Sequence, residues 1–466
     1  MGSLAIVGCG AAGTALVVHL AHREWEGIDR VLIIDPRLPA SGTAFDRDEE
    51  YLLCNTSVGV NSVNPHDPGH FLDWLRRNPT RTTRWGVASA QITEHSYLPR
   101  GLFLAYLAAQ FNSAVTQAQS HGVFVDHVPA SAHTIESTAS GVTVVTDSGE
   151  TFPVDEAVVC TGLHPSAHTL QRRDMSNSRL WGAYDTPRHV AELKQARQVL
   201  VLGMRQSAID AAQMVHEFNP DAEVIMASRT GRLPAVRTEM RESASSVVTP
   251  TAVIDLPGYG APGGVSRWRH LIMKELRQHE PVGTLLPERR TTASDQLRSD
   301  LEHARSASPA WQHIDRNAVT VANTVWPRTP PDRRRELAKW FDRFILRYVS
   351  AIPDSVADRL IISEQQHQLK FVRAVEEPTF SHSLIQLASE EGSNTFDVAI
   401  DATGLSAESE TLRTVDTSHS DARVHRLGPA AVGQIAIPNY FNASARQASR
   451  LADKLTRQPI TTGTGQ

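Results

Sequence analysis

Two stretches of the chain repeat one order of apolar and polar positions. In each, an apolar run of strand length leads into a turn that contains glycine, a helical pattern follows, and a second apolar strand closes the unit. The first unit occupies residues 4–35 and the second occupies residues 197–229. Strands that alternate with helices in this way predict a parallel sheet covered by helices. The pattern therefore predicts an α/β fold with two Rossmann-like nucleotide-binding domains.

Three other segments depart from this pattern. Residues 66–125 have helical periodicity, and residues 123–162 alternate apolar and polar positions between glycine turns, which predicts a small antiparallel meander. Residues 240–350 combine a Gly/Pro-rich loop with amphipathic stretches, so we predict a mostly helical insertion there. Inserted helices and loops commonly vary specificity on a constant scaffold, and we expect this insertion to cover the active site and contact the substrate.

The first turn has the glycine spacing of a dinucleotide-binding loop. Gly8 permits the tight turn, Gly10 lets the backbone approach a pyrophosphate, and Gly13 lets the helix pack closely on the strand. Asp35 ends the next strand, 22 residues after Gly13, where an acid can accept hydrogen bonds from the ribose hydroxyls of an adenosine. We predict that these four residues and Ala12, which lies in the loop, contact a dinucleotide.

The second turn departs from the same motif at one position. Gly203 stands where the first glycine is expected, but Arg205 replaces the middle glycine. Arg205 either grips a phosphate or blocks the approach of the backbone to it, and the sequence leaves both alternatives open. Gln206 and Ser207 open the following helix, whose N-terminal N–H groups and dipole favour a phosphate. We predict that these four residues contact a second nucleotide.

The second strand of this unit ends in Ser228 and Arg229, where the first unit has an acid. An acid there would repel a 2′-phosphate, whereas the guanidinium of Arg229 can pair with it through two parallel hydrogen bonds. The second site is therefore predicted to favour NADPH over NADH. The alternative is that Arg229 is a solvated surface residue.

Each unit is followed by a strand that ends in Thr-Gly. These dipeptides are Thr161-Gly162 and Thr403-Gly404, which lie 154 and 201 residues after the opening glycines of their units. A small residue and a glycine at a strand end suit a crossover where the backbone passes close to a nucleotide. The two units are thus two unequal copies of one plan, and both dipeptides are predicted to lie beside the nucleotides.

The amino-acid composition indicates a soluble globular protein and argues against several other classes of protein. The 466 residues are 41% hydrophobic and 21% charged, which is typical of a soluble globular chain with two or three domains. A net charge of -5 argues against a nucleic-acid binder. Three cysteines without a Cys-x-x-Cys pair, and no His-Glu-x-x-His, predict no metal site. The apolar residues 4–21 contain glycines and follow an uncharged start, so we expect neither a signal peptide nor a membrane partner. Three cysteines cannot form a disulfide framework, and we therefore expect a cytoplasmic location.

The order of these motifs resembles that of class B flavoprotein monooxygenases with two dinucleotide-binding domains. It is most similar to the bacterial FAD-NAD(P)-binding proteins related to N-hydroxylating and atypical Baeyer–Villiger monooxygenases, and the likeness spans almost the whole chain. The resemblance implies FAD at the first loop, NADPH at the second, and an NADPH domain inserted into the FAD domain. The expected division is an FAD domain at 1–165, an NADPH domain at 190–395 and a return to the FAD domain at 396–460.

Further pieces of the chain match this family. They include Gly42–Asp46, Tyr51–Asn55, Pro99-Arg100 and Leu427-Gly428-Pro429 before a C-terminal helix. The resemblance implies that Asn55 lies near the flavin ring as a candidate catalytic group, and that Gly428 and Pro429 cap the end of the flavin. Arg100 is expected to hold an FAD phosphate or to bind NADPH. The alternatives are that Asn55 is a turn-former and that Arg100 is an exposed residue at a helix start.

The reaction implied by the resemblance is a monooxygenation. Reduced flavin adds dioxygen to form a flavin (hydro)peroxide, which passes one oxygen atom to a small, biosynthetic substrate. The Baeyer–Villiger fingerprint is incomplete because Leu180 replaces its phenylalanine and Thr186 its histidine, so N-hydroxylation is favoured. Two alternatives stay open, an NAD(P)H-dependent flavoprotein reductase and a non-catalytic FAD-binding protein with a degenerate second site. The partners are a small molecule and dioxygen, and a homo-oligomer is compatible with the sequence.

Overall fold

The computed structural model describes thirteen stretches of the chain, which form two compact units. The first unit contains residues 1–50, 56–164 and 406–466, and the second contains 51–55 and 165–405. Among the described residues, no helix is long and apolar enough to cross a membrane. The described stretches are 2–42, 49–138, 140–166, 169–171, 179–238, 247–255, 264–278, 292–306, 309–380, 385–406, 412–416, 423–438 and 440–457.

The first unit is built on a parallel sheet of five strands, in the order β21-β7-β1-β2-β3. The central strand pairs in parallel with β2 on one side and with β7 on the other. The three inner strands β7, β1 and β2 are largely apolar and buried, as expected of the centre of a parallel sheet, whereas the edge strands β3 and β21 carry polar residues. Their bounds are β1 Gly2–Val7, β2 Ile28–Ile34, β3 Phe124–Val128, β7 Glu156–Val159 and β21 Val424–Arg426.

Helices and a small second sheet pack around this sheet. The longest helices pack against one another, α1 against both α13 and α4, and the small sheet shares a hydrophobic core with the parallel strands. The helices are α1 Ala11–Ala21, α2 His70–Arg77, α3 Pro79–Thr83, α4 Arg100–Ser120 and α13 Phe441–Arg457. The small sheet consists of β4 Ala132–Ser137, β5 Val142–Thr146, β6 Thr151–Val154 and β20 Arg413–Asp416.

The antiparallel meander is shorter than the predicted 123–162. Only β4, β5 and β6 form it, whereas β3 and β7 belong to the parallel sheet. The sequence pattern of a strand does not specify its neighbours, because alternation of apolar positions reports only which faces are buried. The backbone pairing of β3 with β2 and of β7 with β1 decided the sheet to which each belongs.

The second unit repeats the topology of the first. Its parallel sheet has the order β14-β11-β10-β18-β9, so that β10 lies between β11 and β18 as β1 lies between β2 and β7. The bounds are β9 Leu180–Gly182, β10 Gln198–Leu202, β11 Glu223–Ser228, β14 Leu369–Arg373 and β18 Val398–Asp401. An antiparallel sheet follows with β15 Thr379–Phe380, β16 Ile385–Ser389 and β17 Gly392–Phe396. The helices of this part are α5 Val190–Leu193, α6 Gln206–Phe218 and α12 Asp354–Gln365.

The insertion in the second unit is mostly helical in its described part, as predicted. A parallel pair of two-residue strands, β12 Val236–Arg237 and β13 Ile352–Pro353, joins the segments where the chain enters and leaves it. A π-helical turn, Ile345–Val349, precedes the return. The helices are α7 Pro250–Ile254, α8 Gly264–Leu276, α9 Ala293–Ser306, α10 Ala310–Val325 and α11 Pro331–Phe344.

The unit boundaries differ from the expected ones in two places. The chain returns to the first unit at 406 rather than 396, because β18 pairs with β10 in the sheet of the second unit. Residues 51–55 group with the second unit, where Arg359 Nη2 donates to the Tyr51 carbonyl oxygen at 2.9 Å. Short strands lie where the chain leaves the first unit after 164 and where it returns at 406, namely β8 His164–Pro165 and β19 Leu405–Ser406.

Candidate functional site

The first glycine loop is closed by contacts that leave no room for side chains. Gly8 has a φ of +88° and donates to the Ile34 carbonyl oxygen at 2.9 Å. A Cβ on Gly13 would lie 2.5 Å from the Gly8 carbonyl oxygen, and one on Gly10 would lie 3.0 Å from the Ser41 carbonyl oxygen. Each glycine therefore meets a separate steric requirement of the turn between β1 and α1.

The N-terminus of α1 is available to an anion. Gly10 occupies the N-cap position without a side-chain cap, so the first N–H groups of the helix keep their capacity to donate. The short turn Gly428–Ala431, which contains Pro429, lies against this end, because a Cβ on Gly428 would be 2.9 Å from the Ala12 Cβ. The structure thus brings Ala12, Gly428 and Pro429 together with the first glycine loop.

Asp35 is fixed at the end of β2 by the backbone. Its Oδ2 accepts from the Cys9 N–H at 2.7 Å, and its Oδ1 accepts from the Arg37 N–H at 2.9 Å. Each carboxylate oxygen retains a second lone pair that could accept a ribose hydroxyl. The uncapped helix end, the crowded glycines and this held carboxylate fit the adenosine and pyrophosphate parts of a dinucleotide such as FAD.

Other predicted residues of the first unit take different positions. Thr161 lies beside the loop, since a Cβ on Gly8 would be 3.1 Å from the Thr161 amide nitrogen, and Gly162 is exposed. Arg100 is the first residue of α4 and is only 6% exposed, so its interpretation as an exposed arginine at a helix start is wrong. A guanidinium buried to this extent needs a partner for its charge.

The segment around Asn55 belongs to the second unit. Asn55 is half-buried there, and Leu53 packs against the apolar core of that unit. Cys54, next to Asn55, is buried, as free cysteines commonly are. The location of Asn55 near a flavin stays a prediction. Of the matching piece at 42–46, residues 43–46 lie outside the described residues.

The second glycine loop has the same construction as the first. Gly203 has a φ of +119°, donates to the Ala227 carbonyl oxygen at 2.7 Å, and would place a Cβ 2.5 Å from the Ala402 carbonyl oxygen. The next residues, Thr403 and Gly404, are exposed. The end of β18 thus lies beside the opening glycine of the second unit, as Thr161 lies beside Gly8 in the first.

Arg205 is accommodated in the second loop without backbone strain. It is the N-cap of α6, with an extended backbone at φ −111°, and its side chain is exposed. An L-residue adopts this conformation freely, so no glycine is required at this position. Both alternatives for Arg205, phosphate contact and obstruction, remain open.

The two residues after Arg205 direct their side chains to other parts of the second unit. Gln206 Nε2 donates to the Ser350 carbonyl oxygen at 2.7 Å, so this side chain is engaged with the base of the helical insertion. Ser207 Oγ lies 3.4 Å from the Tyr184 hydroxyl. Their backbone N–H groups at the start of α6 are the groups that can meet a phosphate.

Arg229 is exposed in the loop after β11. Its carbonyl oxygen accepts from Arg373 Nε at 3.1 Å, and Arg373 in turn pairs with Glu390 at 2.8 Å. Ser228 Oγ accepts from the Gly231 N–H at 3.0 Å, which closes the turn. The backbone of the loop is therefore held in place, while the Arg229 guanidinium faces solvent.

Sequence reasoning missed the backbone groups that surround the glycines. The carbonyl oxygens of Ser41 and Ala402 and the backbone of Cys160 come within 3.1 Å of the position that a Cβ would take on these glycines. Such contacts are independent of side-chain type, so no sequence signal could have revealed them. Among the described residues, no three metal-ligating side chains converge on one point.

A buried histidine on α1 makes the first unit sensitive to acid. His19 is 2% exposed, and its pKa is lowered to about 4 by burial and by the charges of His22 and Arg23. The unfolded chain takes up this proton near pH 6.5, whereas the folded chain does so only near 4. The contribution of neutral His19 to the free energy of unfolding is therefore present above pH 6.5 and is lost as the pH falls from 6.5 to 4.

We expect the free energy of unfolding of the first unit to fall by up to about 3 kcal/mol over this range from His19 alone. His19→Leu should flatten the dependence, because leucine suits the apolar helix and carries no proton. Urea unfolding at about pH 7.5, 6 and 4.5 measures this, with His133→Leu, at an exposed position, as the control. An unchanged slope in His19→Leu would contradict the assignment.

The comparisons with known proteins agree with this architecture. Residues 5–164 match the family model described as FAD-NAD(P)-binding. No curated protein matches the chain.

Three solved structures are similar over nearly the full length. The ornithine hydroxylase of Pseudomonas aeruginosa is 14% identical with a TM-score of 0.59, covering 98% of this chain and 99% of its own. The desferrioxamine biosynthetic pathway cadaverine monooxygenase of Erwinia amylovora, bound to FAD, is 11% identical with a TM-score of 0.58, covering 98% and 95%. The ornithine N-hydroxylase of Kutzneria sp. 744, with reduced FAD, NADP+ and L-ornithine, is 13% identical with a TM-score of 0.52, covering 98% of each. The chain therefore has the fold of N-hydroxylating flavin monooxygenases with two dinucleotide-binding domains, and its residues 5–164 match an FAD-NAD(P)-binding family.

Proposed function

We propose that this chain is an FAD-dependent, NADPH-oxidising monooxygenase that transfers one oxygen atom of dioxygen to a small molecule. The observation that carries the proposal is the duplicated loop with two different strand ends. Each unit presents an uncapped helix N-terminus beside a crowded glycine. In the first unit Asp35 follows β2, whereas in the second unit Ser228 ends β11 and Arg229 follows it. Two loops with opposite charge at the ribose position suit two different dinucleotides.

Residues of the first unit would hold FAD. The N–H groups at the start of α1 would meet the pyrophosphate, and the Asp35 carboxylate would accept hydrogen bonds from a ribose. The turn that contains Gly428 and Pro429 would approach the flavin end of the molecule, and the buried Arg100 would compensate phosphate charge. When bound, FAD supplies the redox and oxygen chemistry, and the protein supplies orientation, charge compensation and exclusion of water.

Residues of the second unit would hold NADPH. The N–H groups of Gln206 and Ser207 would face its pyrophosphate, and the exposed guanidinium of Arg229 would pair with the 2′-phosphate. Thr403 and Gly404, next to Gly203, would line the same nucleotide. When bound, this coenzyme would supply the reducing hydride, and these residues would orient it and compensate its phosphate charge.

N-hydroxylation of an amine is the oxidation we favour. The position of the Baeyer–Villiger histidine is taken by Thr186, which is fully buried and donates its hydroxyl to the Ala183 carbonyl oxygen at 2.7 Å. A buried threonine engaged with its own turn cannot replace the imidazole of that fingerprint. The likeness to amine- and amino-acid-hydroxylating structures supports the same choice, and we propose a small biosynthetic amine as the substrate.

Anaerobic mixing of the purified FAD-containing protein with NADPH, and separately with NADH, tests the two coenzyme sites. We expect NADPH to bleach the oxidised flavin band faster than NADH does. In Arg229→Ala the apparent dissociation constant for NADPH should rise roughly tenfold or more, because a charge-assisted pair with the 2′-phosphate is lost. The apparent dissociation constant for NADH should stay nearly unchanged.

Other outcomes distinguish the alternatives. An equal effect of Arg229→Ala on both coenzymes would refute the 2′-phosphate assignment. If neither NADPH nor NADH reduces the flavin, with or without a candidate amine, the result would favour a second site closed by Arg205. Reduction by NADPH followed by slow, amine-independent reaction with oxygen would favour a reductase.

A further inference from the structure

The segments where the chain enters and leaves the helical insertion form one connected block, which we call the insertion root and define as residues 233–237 and 345–352. Its two segments pair as strands β12 and β13, and the Ile352 N–H donates to the Ala235 carbonyl oxygen at 2.8 Å. The Ala235 N–H donates in turn to the Arg347 carbonyl oxygen at 2.8 Å. The root thus extends into the π-helical turn that ends the insertion.

Two arginines hold this block together. Arg347 pairs with Asp300 of α9 at 2.7 Å, and its Nη1 donates to the Leu233 carbonyl oxygen at 3.2 Å. Arg237 is fully buried, pairs with Asp315 of α10 at 3.0 Å, and donates to carbonyl oxygens of the π-helical turn. Each arginine bonds a carboxylate on an insertion helix and backbone of the root, so root and helices are coupled.

The root is also attached to both segments that we propose for the coenzyme. The loop that carries Arg229 continues directly into residue 233. Gln206, the first residue of α6, bridges 144 positions of sequence to donate to the Ser350 carbonyl oxygen at 2.7 Å, with a second contact to the Ala351 carbonyl oxygen at 3.4 Å. Its side chain connects the proposed pyrophosphate end of α6 with the last residues of the root.

We infer that Gln206 is a positioning residue that couples coenzyme binding to the placement of the helical insertion. A phosphate bound at the N-terminus of α6 restricts the motion of the residues at that end. The hydrogen bond from the Gln206 amide to Ser350 then restricts the motion of the insertion root as well. Coenzyme binding would then strengthen the hold on the insertion through this bond, in addition to the ties made by Arg237 and Arg347. This inference rests on the proposed NADPH site.

Hydrogen exchange of the FAD-containing protein tests the coupling, with NADP+ as the probe. Peptides spanning 345–352 are measured without NADP+ and at a concentration that titration shows to be saturating for each variant. We expect NADP+ to slow exchange in the wild type by roughly two- to tenfold, the range of one neutral hydrogen bond. Gln206→Met, which keeps length but removes the donor, should lose this slowing.

Gln213→Met is the matched control. Gln213 lies on the same helix, and its amide nitrogen makes a 3.5 Å contact within the helix, so its variant should keep the wild-type slowing. A merely structural role of Gln206 would speed exchange equally with and without NADP+, and persistence of the slowing in Gln206→Met would overturn the inference. The inference would also be overturned if NADP+ bound the wild type without changing the exchange rate of residues 345–352. The proposed function would stand in that case. Absence of any NADP+ binding would overturn the coenzyme site and the coupling together.

Discussion

Gly13→Ala is expected to yield a folded protein that no longer retains FAD. The new Cβ would lie 2.5 Å from the Gly8 carbonyl oxygen and 3.4 Å from Ile6 Cγ2, so α1 or the loop must shift. Overpacking of this kind costs about 1–3 kcal/mol. Because the loop and the helix end are the proposed pyrophosphate site, the shift should weaken FAD binding roughly 10- to 100-fold.

The measurement is the flavin absorbance of the protein after gel filtration, followed by an FAD titration of the apoprotein. Gly69→Ala is the control, because its Cβ would meet only the Asp67 carboxylate at 3.4 Å and its backbone is right-handed helical. Wild-type FAD content in Gly13→Ala would show that this turn does not hold the flavin nucleotide.

Gly203→Ala is expected to keep FAD but to lose reduction by NADPH. Its Cβ would lie 2.5 Å from the Ala402 carbonyl oxygen, and its φ of +119° is one that alanine adopts only with strain. Both effects act on the turn before α6, in the second unit, whereas the first glycine loop is unchanged. Anaerobic bleaching of the flavin by NADPH should slow at least roughly tenfold, since strain and overpacking each cost about 1–3 kcal/mol.

Gly392→Ala is the control that separates the two effects of Gly203→Ala, the backbone strain of a positive φ and the steric clash of the added Cβ. Gly392 joins β16 and β17 in the same unit with a φ of +126°, and no atom lies within 4 Å of its added Cβ. Its variant should therefore carry the backbone strain without touching the coenzyme loop, and should be reduced at the wild-type rate. Loss of FAD from Gly203→Ala, or a normal rate of reduction, would contradict the assignment of two separate sites.

The glycine turns and the residues at the strand ends could be predicted from the sequence because their requirements are local. Gly8 and Gly203 are needed because each turn has a positive φ, and the strands around them are apolar because they are buried on both faces. Asp35 and Arg229 follow from their place at a strand end. These features are readable because each depends on the conformation of a few consecutive residues.

Features that depend on residues distant in sequence could not be predicted in this way and are known only from the fold. β18 joined the second unit because it pairs with β10, and Tyr51 is held by Arg359, 308 positions away. Gln206, predicted as a coenzyme contact, directs its amide to Ser350. Sequence pattern reports burial and local conformation, whereas the partner of a strand edge or of a side-chain donor is chosen by packing in three dimensions.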